Sequence, residues 1–172
     1  GDTSELFFND LRVPADALLG GLEGQGFVQM MRELPRERLI IGVQAVYGAK
    51  GALDATVKYV QERQAFGQAI GQFQNTRFTL AQCASDIAAA EAFLNAIVAA
   101  YKRGELTPDA VSALKLHTTE VFSRVADACL QLFGGYGYMA EYPISRFWTD
   151  ARVLRIYGGT SEIMKELVAR SL

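Results

Sequence analysis

The stretch Arg155 to Met164, RIYGGTSEIM, sets two glycines between a tyrosine and a Thr-Ser-x-x-Met run of the kind that starts a helix. Three readings compete for that spacing: a tight turn, an anion site built from the N–H groups at a helix N-terminus, and a catalytic loop from which a side chain is missing. GGYGYM and GGLEGQG repeat the glycine theme, but neither matches a dinucleotide fingerprint or follows a strand of a parallel sheet, so Rossmann and P-loop readings are rejected. In ERQAFGQAIGQFQ, Arg63 ends one expected helix and Gln74 begins the next. An arginine beside helix termini is a good diphosphate ligand, and also an ordinary solvated residue of a polar turn. Glu33, Glu37 and Glu62 are carboxylates on expected helices, where lining a ligand site and facing solvent leave the same pattern.

Other chemistries have little to draw on. Cys83 and Cys129 lie far apart and His117 is the single histidine, so neither a Cys/His metal site nor a Ser-His-Asp triad is expected. A net charge of -2 gives no basic footprint for nucleic acid. No uninterrupted apolar run of bilayer-spanning length stands out, and the polar start GDTSELFFND is unlike a signal peptide, so no membrane insertion is expected.

These residues need elements to hold them. Half of the 172 residues are apolar, enough for a substantial core. Residues 5–13, ELFFNDLRV, carry β-type residues closed by Pro14 and predict one short strand. A lone strand cannot satisfy its backbone, and the chain lacks an initiating Met, so the expectation is a C-terminal piece of a longer protein. Residues 1–21 then read as the end of a β-domain and a linker, and 22–172 as a helical domain. Its helices are expected at 27–33, 36–62, 73–103, 108–133 and from Ser161 onward. In the second, Leu39, Val43, Val46, Leu53, Val57 and Val60 form an apolar stripe, with Glu37, Gln44 and Gly48 on nearly the opposite side. Leu80, Cys83, Ile87, Ala90, Leu94, Ile97 and Tyr101 alternate steps of three and four, as do Val111, Leu114, Thr118, Val121, Val125, Ala128 and Leu132. Thr107 and Pro108 start the latter helix, Gly134 and Gly135 stop it, and Pro143 marks a break in a Gly- and aromatic-rich loop. The fold class is all-α, an up-and-down bundle preceded by one strand.

Three motifs, ERQAFGQAIGQFQ, QLFGGYGYMAEYPISRFWTDARV and IYGGTSEIM, occur in an order and spacing that resemble the C-terminal helical domain of flavin-dependent acyl-CoA dehydrogenases. The resemblance covers essentially the whole chain and is greatest to the long-chain members, through ELPRERL and IYGGTSEIMKELVAR. It implies an oxidoreductase that converts acyl-CoA to trans-2-enoyl-CoA in fatty-acid β-oxidation, with FAD as cofactor. It also implies a homotetramer or dimer in which FAD lies between subunits, and electron-transfer flavoprotein as acceptor. By position, Arg63, Phe66, Gln74, Gln131, Gly134 and Gly135 match residues that hold a neighbouring subunit's FAD, while Thr160 and Glu162 match further FAD contacts. Most members carry the catalytic glutamate directly after the loop tyrosine, where this chain has Gly158. In the long-chain and isovaleryl members the base comes from the start of a bundle helix, and the matching residue is Glu37. The Gly158 backbone N–H is implied as a donor to the thioester oxygen. Arg38, Tyr157, Gly159 and Arg170 match the substrate side, Tyr157 in the acyl pocket. The resemblance implies the bacterial cytoplasm or the mitochondrial matrix, and FAD held weakly or not at all by this chain alone. An acyl-CoA oxidase and a non-catalytic helical assembly module are the alternatives.

Overall fold

The computed structural model describes residues 4–172. They divide into two compact units, one up to Glu33 and one from Leu34 to Leu172. The first contains no strand. Residues 5–13 lack regular secondary structure, and a 3-10 turn follows at Ala15–Ala17. The expected strand fails for a physical reason: no other segment among the described residues pairs with it, and its side chains Leu6, Phe7 and Phe8 stay exposed. Within this unit Gln29 Nε2 donates to the Leu19 carbonyl at 3.1 Å.

The helices are α1 (Gly26–Glu62), α2 (Gln74–Lys102), α3 (Pro108–Phe133), α4 (Pro143–Leu154) and α5 (Ser161–Ala169). The expected break between residues 33 and 36 is absent, and α1 runs through Pro35 as one helix. A proline forfeits one intrahelical bond, but its fixed φ is helical, so a long flanking helix can carry it. α4 replaces an expected loop. Its Pro143 occupies the first turn, where the missing N–H would be unpaired anyway, so this proline starts a helix.

α3 is the central element and packs against α2, α4 and α5. Val111, Leu114, Val121 and Val125 of the predicted stripe are buried, and so are Phe122, Cys129 and Phe133 on adjoining faces. In α2 the predicted series is buried from Cys83 to Ile97, while Tyr101 is exposed. α1 approaches α3 closely at Gly48, where a Cβ would come within 2.6 Å of the Phe122 ring. Core threonines cause no polar deficit. Thr56, Thr118 and Thr119 donate to carbonyls one turn back at 2.7, 2.8 and 2.8 Å.

Two further differences bear on function. Residues 64–69 form a two-stranded hairpin, Gln64–Ala65 (β1) against Gln68–Ala69 (β2), where only a turn was expected. And α2 is, by length and composition, apolar enough to cross a membrane, with a mean hydropathy of 1.4 over its most apolar window. Alanines produce that value, with Asp86 and Glu91 the charges near the middle. Its buried series packs into the bundle core.

Candidate functional site

The loop between α4 and α5 is clamped at both ends. The Ser161 N–H donates to the Arg155 carbonyl at 3.1 Å, closing the loop on itself. Glu120 of α3 fastens the same two residues, pairing with Arg155 Nη2 at 2.8 Å and accepting from Ser161 Oγ at 3.1 Å. Thr160 caps α5, its hydroxyl accepting from the Ile163 N–H at 3.4 Å. Glu162 sits in the first turn, and bonds from its own N–H and from Thr160 hold its carboxyl below the usual range.

Between the clamps lie Gly158 and Gly159, with φ of +67° and +101°. A Cβ on Gly158 would meet Ile41 Cδ1 at 2.5 Å, so α1 fills the space a side chain would need, and the backbone angle disfavours one in any case. The loop's carbonyls point at two buried cations. Arg38 Nε donates to the Gly158 carbonyl at 3.2 Å, and Lys115 Nζ of α3 donates to the Gly159 carbonyl. Burial lowers the pKa of both, and desolvation with the nearby Arg38 charge brings Lys115 down to about 8.

Glu37 precedes Arg38 and faces solvent while Arg38 faces the core. Along the same helix, Gln44 accepts a hydrogen bond from the Tyr157 hydroxyl at 3.1 Å. With Gly48, Phe122, Phe147, Asp150, Val153 and Leu154 these two residues enclose a cavity of about 320 Å³. Arg170 stands apart from this cluster, paired on the surface with Glu166 at 2.8 Å.

A second cleft, of about 450 Å³, brings together Arg63, Gln131, Gly134 and Gly135 with Tyr59, Ile70, Phe133 and Tyr136. The Arg63 guanidinium lies 5.4 Å from the Tyr136 ring centre. Gly134 ends α3 at φ +59°. Phe66 and Gln74 do not line it. Phe66 occupies the tip of the β1–β2 hairpin at φ +52°, followed by Gly67 at +82°, the pair of positive angles that a two-residue type I′ turn demands. Phe66 as a whole is 97% exposed, and Gln74 is exposed at the start of α2.

A family model described as the acyl-CoA dehydrogenase C-terminal domain matches residues 24–172. The chain belongs to that family. It is 45% identical over 171 residues to the mitochondrial long-chain specific acyl-CoA dehydrogenase of Sus scrofa, covering 99% of this chain and 40% of that protein. To the acryloyl-CoA reductase (NADH) of Anaerotignum propionicum it is 41% identical, over 99% of this chain and 43% of that protein. The crystal structure of an acyl-CoA dehydrogenase from Geobacillus kaustophilus superposes with a TM-score of 0.90 at 41% identity, covering 96% of this chain and 43% of that one. The chain thus spans about two-fifths of the length of the relatives it matches. Helical C-terminal domains of this family are what α1 to α5 form.

Three contributors, Lys115, Ile41 and Glu120, escaped the sequence reading. Lys115 sits four residues after Val111 and three before Thr118, inside an apolar seam, and a lysine at such a position is the available signal. Ile41 follows Glu37 by one helical turn, but nothing in the sequence connects it with Gly158.

Proposed function

We propose that this chain is the helical C-terminal part of a flavin-dependent acyl-CoA dehydrogenase whose catalytic base is Glu37. Residues 1–21 then belong to a preceding β-domain and its linker, and 22–172 to the helical domain. The observation that carries the relocated base is the state of position 158. It holds no carboxylate, its side-chain space is taken by Ile41, and the α1 turn bonded to its carbonyl carries Glu37.

The Arg63 cleft fits FAD by its donor set: a guanidinium for diphosphate, glycine backbone at a helix end, and aromatic walls from Tyr59, Phe133 and Tyr136. Gln131 would add an amide there. Phe66 supports the assignment from outside the cleft, since an apolar ring held out on a strained turn gains by being covered. Gln74, Thr160 and Glu162 are assigned to FAD on family position. When bound, FAD supplies the acceptor for the hydride that leaves the substrate β-carbon.

This chain's own residues do the rest. Glu37 takes the α-proton as general base. The Gly158 N–H donates to the thioester oxygen as enolate charge develops. Tyr157, oriented by Gln44, lines the path of the acyl chain, with Arg38, Gly159 and Arg170 on the substrate side. Homo-oligomerisation is supported by the exposed, small and uncharged face of α2 at Ala81, Ala84, Ala88, Ala92 and Ala96. Light scattering that finds only monomers of the holoprotein would contradict it. Electron-transfer flavoprotein is the proposed oxidant, and the cytoplasm or mitochondrial matrix the proposed compartment.

The test is anaerobic mixing of the flavin-loaded protein with acyl-CoA thioesters of graded length. Bleaching of the flavin by at least one thioester, followed by faster reoxidation with electron-transfer flavoprotein than with oxygen, is the expected result. Reoxidation chiefly by oxygen would identify an oxidase, and no bleaching by any thioester would leave a non-catalytic module.

A further inference from the structure

Among the described residues Lys115 is the largest fully buried side chain, 1% exposed, and no carboxylate pairs with it. Its ammonium is bonded to the carbonyl of Gly159, beside Arg38 on the carbonyl of Gly158. Arg38 feels the neighbouring Glu37 carboxylate, but Lys115 has no counter-ion, and the two cations repel each other and forfeit hydration. An apolar side chain of the same volume would fill the site without either cost, so packing alone does not account for the pair. What the two cations share is one object, the consecutive peptide groups of the glycine loop.

The geometry of those peptides gives the cations a role. The described residues contain no cis peptide bond, and in a trans peptide the N–H points opposite to the C=O. Drawing the carbonyls of Gly158 and Gly159 toward Arg38 and Lys115 turns the N–H groups of Gly159 and Thr160 the other way. The amides of Gly158, Gly159 and Thr160 have no acceptor within the chain among the described residues. A carbonyl bonded to a cation also polarises the N–H of its own peptide, making it a better donor. Arg38 extends α1 immediately after Glu37, and Lys115 and Glu120 both extend α3, so the loop is referenced to the two helices at its middle and at its ends.

We infer that Arg38 and Lys115 are positioning residues for acyl-CoA oxidation: by gripping the Gly158 and Gly159 carbonyls they turn the free amides of Gly159 and Thr160 outward and fix the backbone of Gly158, whose own N–H is thereby presented to the negative charge that forms on the thioester oxygen. This deepens the proposed function and rests on its assignment of Gly158 as the donor. The grip acts through the backbone it holds.

Two substitutions in the flavin-loaded protein test it. Lys115→Met keeps length and apolar bulk without the charge, and Arg38→Lys keeps the charge without the planar donor. The first readout is the carbonyl stretch of a bound acyl-CoA labelled with heavy carbon at the thioester carbonyl and bearing no hydrogen on its β-carbon, so that it binds without reacting. The second is flavin reduction at saturating substrate. In each variant the band is expected to move back toward its position in water. Reduction is expected to slow by roughly 10- to 100-fold, with Kd for the thioester changed less, which is part of the loss seen when an oxyanion donor is deleted outright. Thermal stability of Lys115→Met is expected to equal or exceed the parent's, so that rate and stability separate. A parental rate or an unmoved band in a variant that retains FAD overturns the inference. If Lys115→Met does not retain FAD, Arg38→Lys decides by the same two readouts. The band requires no proton removal, so it tests the grip even if Glu37 is not the base.

Discussion

Gly158→Ala should damage the protein through one atom, and removing that atom should repair part of the damage. The alanine Cβ would stand 2.5 Å from Ile41 Cδ1 at a backbone φ of +67°. A left-handed conformation costs an L-residue about 1–2 kcal/mol, and overpacking a filled core adds about 1–3, giving roughly 2–5 kcal/mol for Gly158→Ala. Ile41→Val deletes Cδ1 alone, and at 5% exposure its own cost is about 0.5–1.5 kcal/mol. Because the deleted methyl is the clashing one, the double mutant keeps the backbone strain and the lost methyl but sheds the overlap. It should sit about 1–3 kcal/mol above the sum of the single changes. Urea unfolding of the four proteins of the cycle measures this directly. Additivity within about 0.5 kcal/mol would refute the claim that Ile41 occupies the place of a loop side chain.

Three further outcomes follow from the same geometry. A glutamate introduced at position 158 of a Glu37→Gln protein should restore little flavin reduction until Ile41 is also trimmed to Val; full recovery without trimming would contradict the packing argument. Arg63→Ala should weaken FAD binding by roughly 10- to 100-fold, the worth of one charge-assisted bond, in a fluorescence titration of the apoprotein; an unchanged Kd would remove Arg63 from the cofactor site. Lys115 titrates at about 8 in the fold and near 10.4 when unfolded, so the unfolded chain binds more protons between those values. Stability should therefore rise across that pH window, by up to roughly 3 kcal/mol from this group, and the rise should vanish in Lys115→Met; an equal slope in both proteins would mean that other groups carry it.

Much of the bundle was legible because its signals are local. The three-and-four spacing from Cys83 to Ile97 and from Val111 to Val125 corresponds to buried residues, and Thr107 does cap α3. Punctuation misled where its meaning depends on neighbours: Pro35 sits inside α1 and Pro143 opens α4, because proline is tolerated wherever its missing N–H is not needed. The strand at 5–13 failed because β-propensity needs a partner that the described residues do not provide. In the site, the glycine pair, Arg63 and the α3-terminal glycines carried visible signals of backbone freedom and charge. The contacts that give them meaning did not. Ile41 under Gly158, Lys115 on Gly159 and Glu120 across the loop join residues more than forty positions apart or on different helices, and periodicity within one helix holds no trace of them.

In the proposed function the carboxylate of Glu37 removes the substrate α-proton. Glu37→Gln preserves shape while abolishing the acceptor, and the exposed side chain supports no core packing, so fold and FAD content should persist. Stopped-flow reduction of the bound flavin by acyl-CoA in a single turnover reads the chemical step alone. A rate lower by roughly 10²- to 10⁴-fold is expected in the mutant. A mutant that reduces its flavin as fast as the parent would show that Glu37 is a solvated helix residue and that the base lies elsewhere.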